Sequence, residues 1–212
     1  MELQMLAAGH YAWTGEADPV RYYRLPIIGR LFQRRVARCI ELLPAGNRVL
    51  EVGYGSGVSF LNLAELFEDI HGIDLHDGGE RVAQSFAGTP IRPSLRRGDI
   101  ASLPYDDESF DAALAVSIHE EIPPQRQERA FSEVRRVLRR GGCYVVGVPG
   151  VNALMNFALS LLGCNVAKYH VTPDSTIVEL MSSHFDVDVV KYAPAFWPRA
   201  LTTYVCIRGW KR

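Results

Sequence analysis

VLEVGYGSG, residues 49–57, is a short apolar run that ends in three glycines spaced two apart. A run of that length fits a buried strand, and the glycines let the backbone turn sharply and approach a ligand with no side chain between. GVSFLNLAELFED, residues 57–69, then fits a helix whose first turn points unpaired N–H groups above the sheet edge, where an anionic group is welcome. In an open α/β sheet the first strand-to-helix turn is where nucleotide-like ligands bind. Register removes the competing motifs. Val58-Ser59 follows Gly57 where a Walker loop needs Gly-Lys-Ser/Thr, and the chain's first lysine is Lys168. A nucleophile elbow on Ser56 would need glycine at 54 and 58, which are Tyr54 and Val58. The spacing G-x-G-x-G, with an acid at Glu51, is not the G-x-G-x-x-G of a dinucleotide fingerprint. Asp74 ends the next apolar segment, HGIDL, and a carboxylate about 20 residues after a glycine loop can accept hydrogen bonds from both hydroxyls of a ribose.

Outward from this loop, β-rich segments recur at 48–53, 71–75, 94–98, 111–117, 143–148, 187–192 and 202–207. Helical patterns at 57–69, 80–87, 125–140 and 174–184 separate most of them, which predicts parallel strands with crossover helices on both faces. The last two strands are too close for a parallel crossover and predict an antiparallel hairpin. Upstream, Ile28, Leu31, Phe32, Val36, Cys39, Ile40 and Leu43 fall on one face of an amphipathic helix ended by Pro44-Ala-Gly-Asn47. Arg30, Arg34 and Arg38 form its outer stripe, a solvated face or a contact for an anionic acceptor or membrane surface.

The 212 residues, 48% apolar and 22% charged, suit one packed domain and exclude a disordered or disulfide-built chain. The net charge of −1 excludes an overall electrostatic funnel for nucleic acid, although residues 21–48 carry seven Arg and one acid, and residues 50–80 seven acids and no base. Cys39, Cys143, Cys164 and Cys206 form no C-x-x-C pair, and no basic n-region opens the chain, so reduced thiols in a cytoplasmic protein are expected. The uncharged stretch from Gly141 to Ala167 is broken by Pro149-Gly150 and reads as a buried strand followed by a short apolar helix.

With these residues in place, the chain resembles the class I S-adenosylmethionine-dependent methyltransferases, closest to their small-molecule, quinone- and lipid-methylating branch. E-x-G-x-G-x-G after a strand is similar to that family's first motif, and Asp74 falls at its ribose acid. GDIASLPYDDESFDAALA (98–115) and SEVRRVLRRGGCYVVGVP (132–149) resemble its third-to-fourth and fifth-strand regions, with Arg140 in place of a usual proline. The resemblance covers about residues 45–150, roughly half of the chain, and implies a three-layer α/β/α sandwich around a seven-stranded, mostly parallel, Rossmann-like sheet whose last strand is antiparallel. It implies S-adenosyl-L-methionine as cofactor, held by Glu51, Gly53, Tyr54, Gly55, Gly57, Asp74, Leu75, Asp99, Ile100 and Ser117, with Asp99 on the adenine amino group and Ile100 flanking the ring. It also implies an N-terminal cap over residues 1–44, where His10, Tyr11 and Trp13 offer aromatic faces to a sulfonium cation, as Tyr54 does, and an acceptor-recognition insertion around 150–172. The expected chemistry is in-line transfer of a methyl group to a small, partly apolar acceptor, with no metal. His119, at the exit of the fourth strand, is the candidate general base if the acceptor must lose a proton, and Glu120 and Glu121 read as surface acids. A non-catalytic binder of the same fold and a nicotinamide-dependent oxidoreductase are the alternatives.

Overall fold

Val49 to Val52 lie in the third strand of a seven-stranded sheet in the computed structural model, which describes residues 1–15, 18–150, 172–194 and 202–212. The strands are β1 (Gly46–Val52), β2 (Phe67–Asp74), β3 (Ser94–Arg97), β4 (Phe110–Val116), β5 (Leu138–Pro149), β6 (Asp186–Ala193) and β7 (Tyr204–Trp210). Their order is β3-β2-β1-β4-β5-β7-β6, with β7 antiparallel to both neighbours and β1 to β5 parallel. The expected hairpin and the antiparallel last strand are both present.

Period-two alternation sorts the side chains onto two faces. Val49, Ala112, Leu114, Cys143 and Val145 join one apolar cluster with α1 (Ile28–Ile40), α2 (Phe60–Leu63) and α3 (Gly79–Ser85). Leu50, Val52, Ala113, Ala115, Tyr144 and Val146 join the other, with α4 (Pro124–Val137) and α5 (Asp174–His184). Parallel strands covered on both faces read as continuous apolar runs, which is why these segments were so plain in the sequence. The layers are therefore α/β/α.

Two local expectations fail. The helix expected over 57–69 shrinks to α2, because Phe67 already pairs with Gly46 and β2 runs eight residues along β1. The apolar face of α1 is buried only in its second half: Val36, Cys39, Ile40 and Leu43 are covered, whereas Ile28 and Leu31 stand 41% and 55% exposed. α1 is one of the layer helices, packed so closely on β5 that a Cβ at Gly147 would lie 2.4 Å from Cys39 Sγ. The segment that lies over the glycine loop is the stretch before α1. The expected insertion around 150–172 falls almost wholly outside the described residues. Among the described residues no helix is long and apolar enough to cross a membrane.

Candidate functional site

β1 ends at Val52 and the chain turns through three glycines with φ of +71° (Gly53), +50° (Gly55) and +75° (Gly57). That left-handed region is open to glycine and disfavours other residues, so the spacing seen in the sequence is a conformational requirement. A Cβ at Gly57 would strike the Phe60 ring at 2.6 Å, whereas one at Gly55 would meet only Asp18 Oδ1 at 3.9 Å. The loop is thus packed beneath Gly57 and open above Gly55.

Asp74, at the end of β2, faces this opening. Its Oδ2 accepts a hydrogen bond from the Gly55 N–H at 2.9 Å and its Oδ1 one from the His76 N–H at 3.3 Å. His76 Nε2 lies 3.1 Å from the Gly55 carbonyl oxygen, and its ring meets Tyr54 edge-on at 4.9 Å. His76 therefore braces the loop from the side of β2, although in the sequence it had no spacing partner. Leu75 beside it is 69% exposed, a bare apolar surface next to Asp74, and Ile100 is buried across the β3 exit. Asp99 Oδ1 accepts the Ala101 N–H at 2.9 Å, and Oδ2 is paired with Arg126. Burial alone would raise its pKa, but those hydrogen bonds and the Arg126 and Arg129 charges hold it below the usual carboxylate range.

The segment before α1 reaches the loop through Asp18, which the sequence reading missed. Asp18 is buried and takes hydrogen bonds from Ser56 Oγ, the Thr14 hydroxyl and the Val20 N–H. Its signal was the pair Asp18-Pro19, an N-cap followed by proline at the first helical position, here of a short 3₁₀ turn over Pro19–Tyr22.

Several expected residues stand elsewhere than foreseen. Tyr54 is a core residue: its ring lies under Gly72 and packs with Phe60, so it presents no free aromatic face. Tyr11 accepts a hydrogen bond from the Leu6 N–H and packs edge-on against Phe86, while Trp13 is exposed. Glu51 lies beneath the loop, buried and bonded to the Ser59 hydroxyl, and burial pushes its carboxyl up to about 8. His119 is the clearest correction. It is wholly buried on the α4 side, stacked on Phe131 at 4.4 Å, with Nδ1 on Gln127 and Nε2 on Tyr144. Burial drives its pKa down to about 4. With both nitrogens taken inside the core it has no free atom to offer an acceptor. Glu120 is not the surface acid expected: it is 2% exposed, and burial raises its carboxyl to about 8. Ser117 holds the β4 exit in the left-handed region, φ +58°, its N–H on the Gly147 carbonyl at 2.7 Å.

These buried groups fix a pH response. The folded chain keeps Glu51 and Glu120 protonated where the unfolded chain has ionised them, so it binds more protons between about pH 4.5 and 8, and stability falls as pH rises through that window. His119 acts oppositely between about 4 and 6.5, where the unfolded chain holds the extra proton. Urea unfolding is expected to show a less stable protein at about pH 9 than at about 6.5, and a smaller difference in Glu51→Gln. Equal stability at the two pH values in the parent protein would contradict the burial of these carboxyls.

The loop thus joins a carboxylate at the end of β2, an uncovered apolar residue beside it, and a glycine bend open on one side. Comparison with known proteins agrees with the resemblance found in the sequence. Residues 50–146 match the family model described as a methyltransferase domain. The chain is 36% identical over 149 residues to a phosphatidylethanolamine N-methyltransferase of Cereibacter sphaeroides, covering 69% of this chain and 68% of that protein. It is 39% identical over 110 residues to a phthiotriol/phenolphthiotriol dimycocerosates methyltransferase of Mycobacterium ulcerans, over 51% of this chain but only 39% of that longer relative. The solved geranyl diphosphate C-methyltransferase of Streptomyces coelicolor A3(2) superposes with a TM-score of 0.70 at 16% identity, covering 98% of this chain and 90% of that one, which speaks for the fold alone. The chain belongs to the class I S-adenosylmethionine-dependent methyltransferases. S-adenosylmethionine is the cofactor of that class.

Proposed function

We propose that this protein transfers the methyl group of S-adenosylmethionine to the polar end of a small or lipid-like acceptor in the cytoplasm. The observation that carries the reading is the glycine loop, open above Gly55 and closed from the side by Asp74. Bound there, the cofactor supplies a methyl group already activated by sulfonium charge. Asp74 would hold the ribose, Leu75 and Ile100 would flank the adenine, and the Gly53–Gly57 bend would face the amino-acid tail. Asp99 is bonded to Arg126, so an adenine amino group must share that carboxylate or displace the arginine. The chain's remaining task is alignment, since holding reactants at near-attack distance is worth effective molarities of ~10⁵–10⁸ M.

The acceptor is proposed to be lipid-like, drawn from a membrane surface. The names of the bacterial relatives support this, and so does the start of α1. Leu25, Ile27, Ile28 and Leu31 are 42%, 84%, 41% and 55% exposed, and Arg24, Arg30, Arg34 and Arg38 stand exposed among or beside them. Apolar side chains ringed by arginine suit an interface that carries anionic lipid. One experiment tests both parts: vesicles of phosphatidylethanolamine and phosphatidylglycerol, incubated with protein and labelled S-adenosylmethionine, are sedimented and their lipids analysed by mass spectrometry. The protein is expected to sediment with the vesicles and methylate a lipid amine, and Ile27→Asp with Leu31→Asp to weaken sedimentation on the order of tenfold. Protein that stays in the supernatant sinks the membrane reading, and a label that reaches no lipid sinks the acceptor class.

A further inference from the structure

Four buried side-chain polar atoms among the described residues have no hydrogen-bond partner: Arg35 Nε, Tyr54 OH, His71 Nδ1 and Glu120 Oε2. A buried polar atom is normally satisfied, and each of these costs free energy to leave alone. The contrast within one turn sharpens the point. His119 spends both ring nitrogens inside the core, while Glu120, the next residue, leaves one oxygen free.

The free oxygen has a definite neighbourhood. Glu120 is bonded to its own N–H and to Ser117, whose hydroxyl lies 3.2 Å from Tyr204 OH. Arg35, from α1, sits over the same tyrosine, its guanidinium 5.8 Å from the ring centroid. Its charge is felt by Glu120. Ile118, between Ser117 and Glu120, leans on the glycine loop so closely that a Cβ at Gly53 would lie 2.0 Å from its Cδ1. One turn at the β4 exit thus touches the loop with one side chain and holds an uncommitted carboxylate two residues on. Arg35, whose charge that carboxyl feels, also keeps an uncommitted Nε–H.

We propose that Glu120 is a catalytic residue of the proposed methyl transfer: its free oxygen receives the hydrogen bond of the acceptor's amine or hydroxyl and takes that proton as the group is methylated. The inference rests on the methyltransferase reading and assigns the acceptor's pole within it. A lone pair on the acceptor's nitrogen or oxygen becomes the new bond to carbon, and the pair of the N–H or O–H bond stays on that atom as its proton passes to Oε2. The pair of the sulfur–methyl bond stays on sulfur, and the proton leaves Oε2 for solvent. The acceptor is therefore a hydrogen-bond donor at its nucleophile, with an oxygen nearby for Arg35 Nε. The groups facing Glu120 are Arg35 from α1, Tyr204 from β7, and Ser117 and Glu121 on its own turn. Burial, aided by Glu121 and opposed by Arg35 and Ser117, lifts the carboxyl to about 8, close to where a proton acceptor works at neutral pH.

The test uses the full chain and Glu120→Gln, with three readouts: the dissociation constant of S-adenosylhomocysteine by calorimetry, the infrared band of the protonated carboxyl against pH, and initial rates of methyl transfer to phosphatidylethanolamine vesicles from about pH 6 to about 10. The carboxyl band that the wild type shows and Glu120→Gln lacks, a difference that cancels the similarly raised Glu51, is expected to fade near pH 8, and the wild-type rate to rise through the same range. In Glu120→Gln, S-adenosylhomocysteine affinity is expected to stay within about threefold, while the rate drops on the order of 10²-fold or more and loses that pH dependence. A rate within about threefold of wild type overturns the proposal. So does a band in that wild-type-minus-variant difference that titrates in the ordinary carboxyl range, whatever the acceptor. A variant that loses S-adenosylhomocysteine binding or its fold makes Glu120 a framework residue and also overturns it. A wild type that fails to bind S-adenosylhomocysteine brings down the methyltransferase reading itself, an outcome distinct from the others.

Discussion

Gly55→Val is expected to leave a folded protein that no longer binds S-adenosylhomocysteine measurably. At φ +50° a β-branched residue is a conformational outlier, and the left-handed backbone alone costs about 1–2 kcal/mol. The larger effect is steric. A Cβ at this position meets only Asp18 Oδ1 at 3.9 Å, so the protein itself does not object to a side chain there. The isopropyl group would instead fill the space where the ligand must lie. Gly57→Val would be a poorer test, because a Cβ there strikes the Phe60 ring at 2.6 Å and would disturb the core. Calorimetric titration together with a thermal unfolding curve separates binding from folding. Retained affinity in a folded Gly55→Val protein would show that the loop does not touch the ligand.

Asp74→Ala is expected to weaken the same complex by ~1–3 kcal/mol, the worth of a charged acceptor removed from two hydroxyls, with the fold intact. The structure adds a refinement. Asp74 Oδ2 also accepts the Gly55 N–H, so alanine frees the loop as well as removing the proposed sugar contact. Asp74→Asn keeps a carbonyl oxygen for that N–H while losing the charge, and should fall between wild type and alanine. If both variants match the wild-type dissociation constant, the ribose assignment is wrong. If asparagine matches wild type and alanine does not, the carboxylate's charge is dispensable and its main duty is to shape the loop.

The sheet was legible because parallel strands buried on both faces leave continuous apolar runs, and because the left-handed turn after β1 accepts glycine and little else. Ends of elements were harder. LAELFED, residues 63–69, carries a helical pattern, yet pairing with Gly46 claims Phe67 for β2. Pairing is a tertiary demand that local propensity does not record. The same limit applies to Ile28 and Leu31, which share a helical face with Val36 and Ile40 but lie beyond the part of α1 that is covered. Asp74's place beside the loop could be foreseen because its distance from the loop is set by one strand–helix–strand unit. Asp18 and His76 could not be assigned, since their roles arise when the amino-terminal segment and the β2 exit meet over Gly55. His119 and Glu120 show the limit most sharply. Adjacent titratable residues leave β4 together, and only three-dimensional packing sends one into the core fully satisfied and leaves the other with an idle oxygen.

The placing of β7 between β5 and β6 has a consequence for how the molecule comes into being. β6 is made before β7 yet, among the described residues, pairs with that strand alone, so as the chain emerges during synthesis the segment waits for the one that follows. The five parallel strands can assemble first, with the β5 margin still open. The returning strand then closes two ladders at once, one to β5 and one to β6.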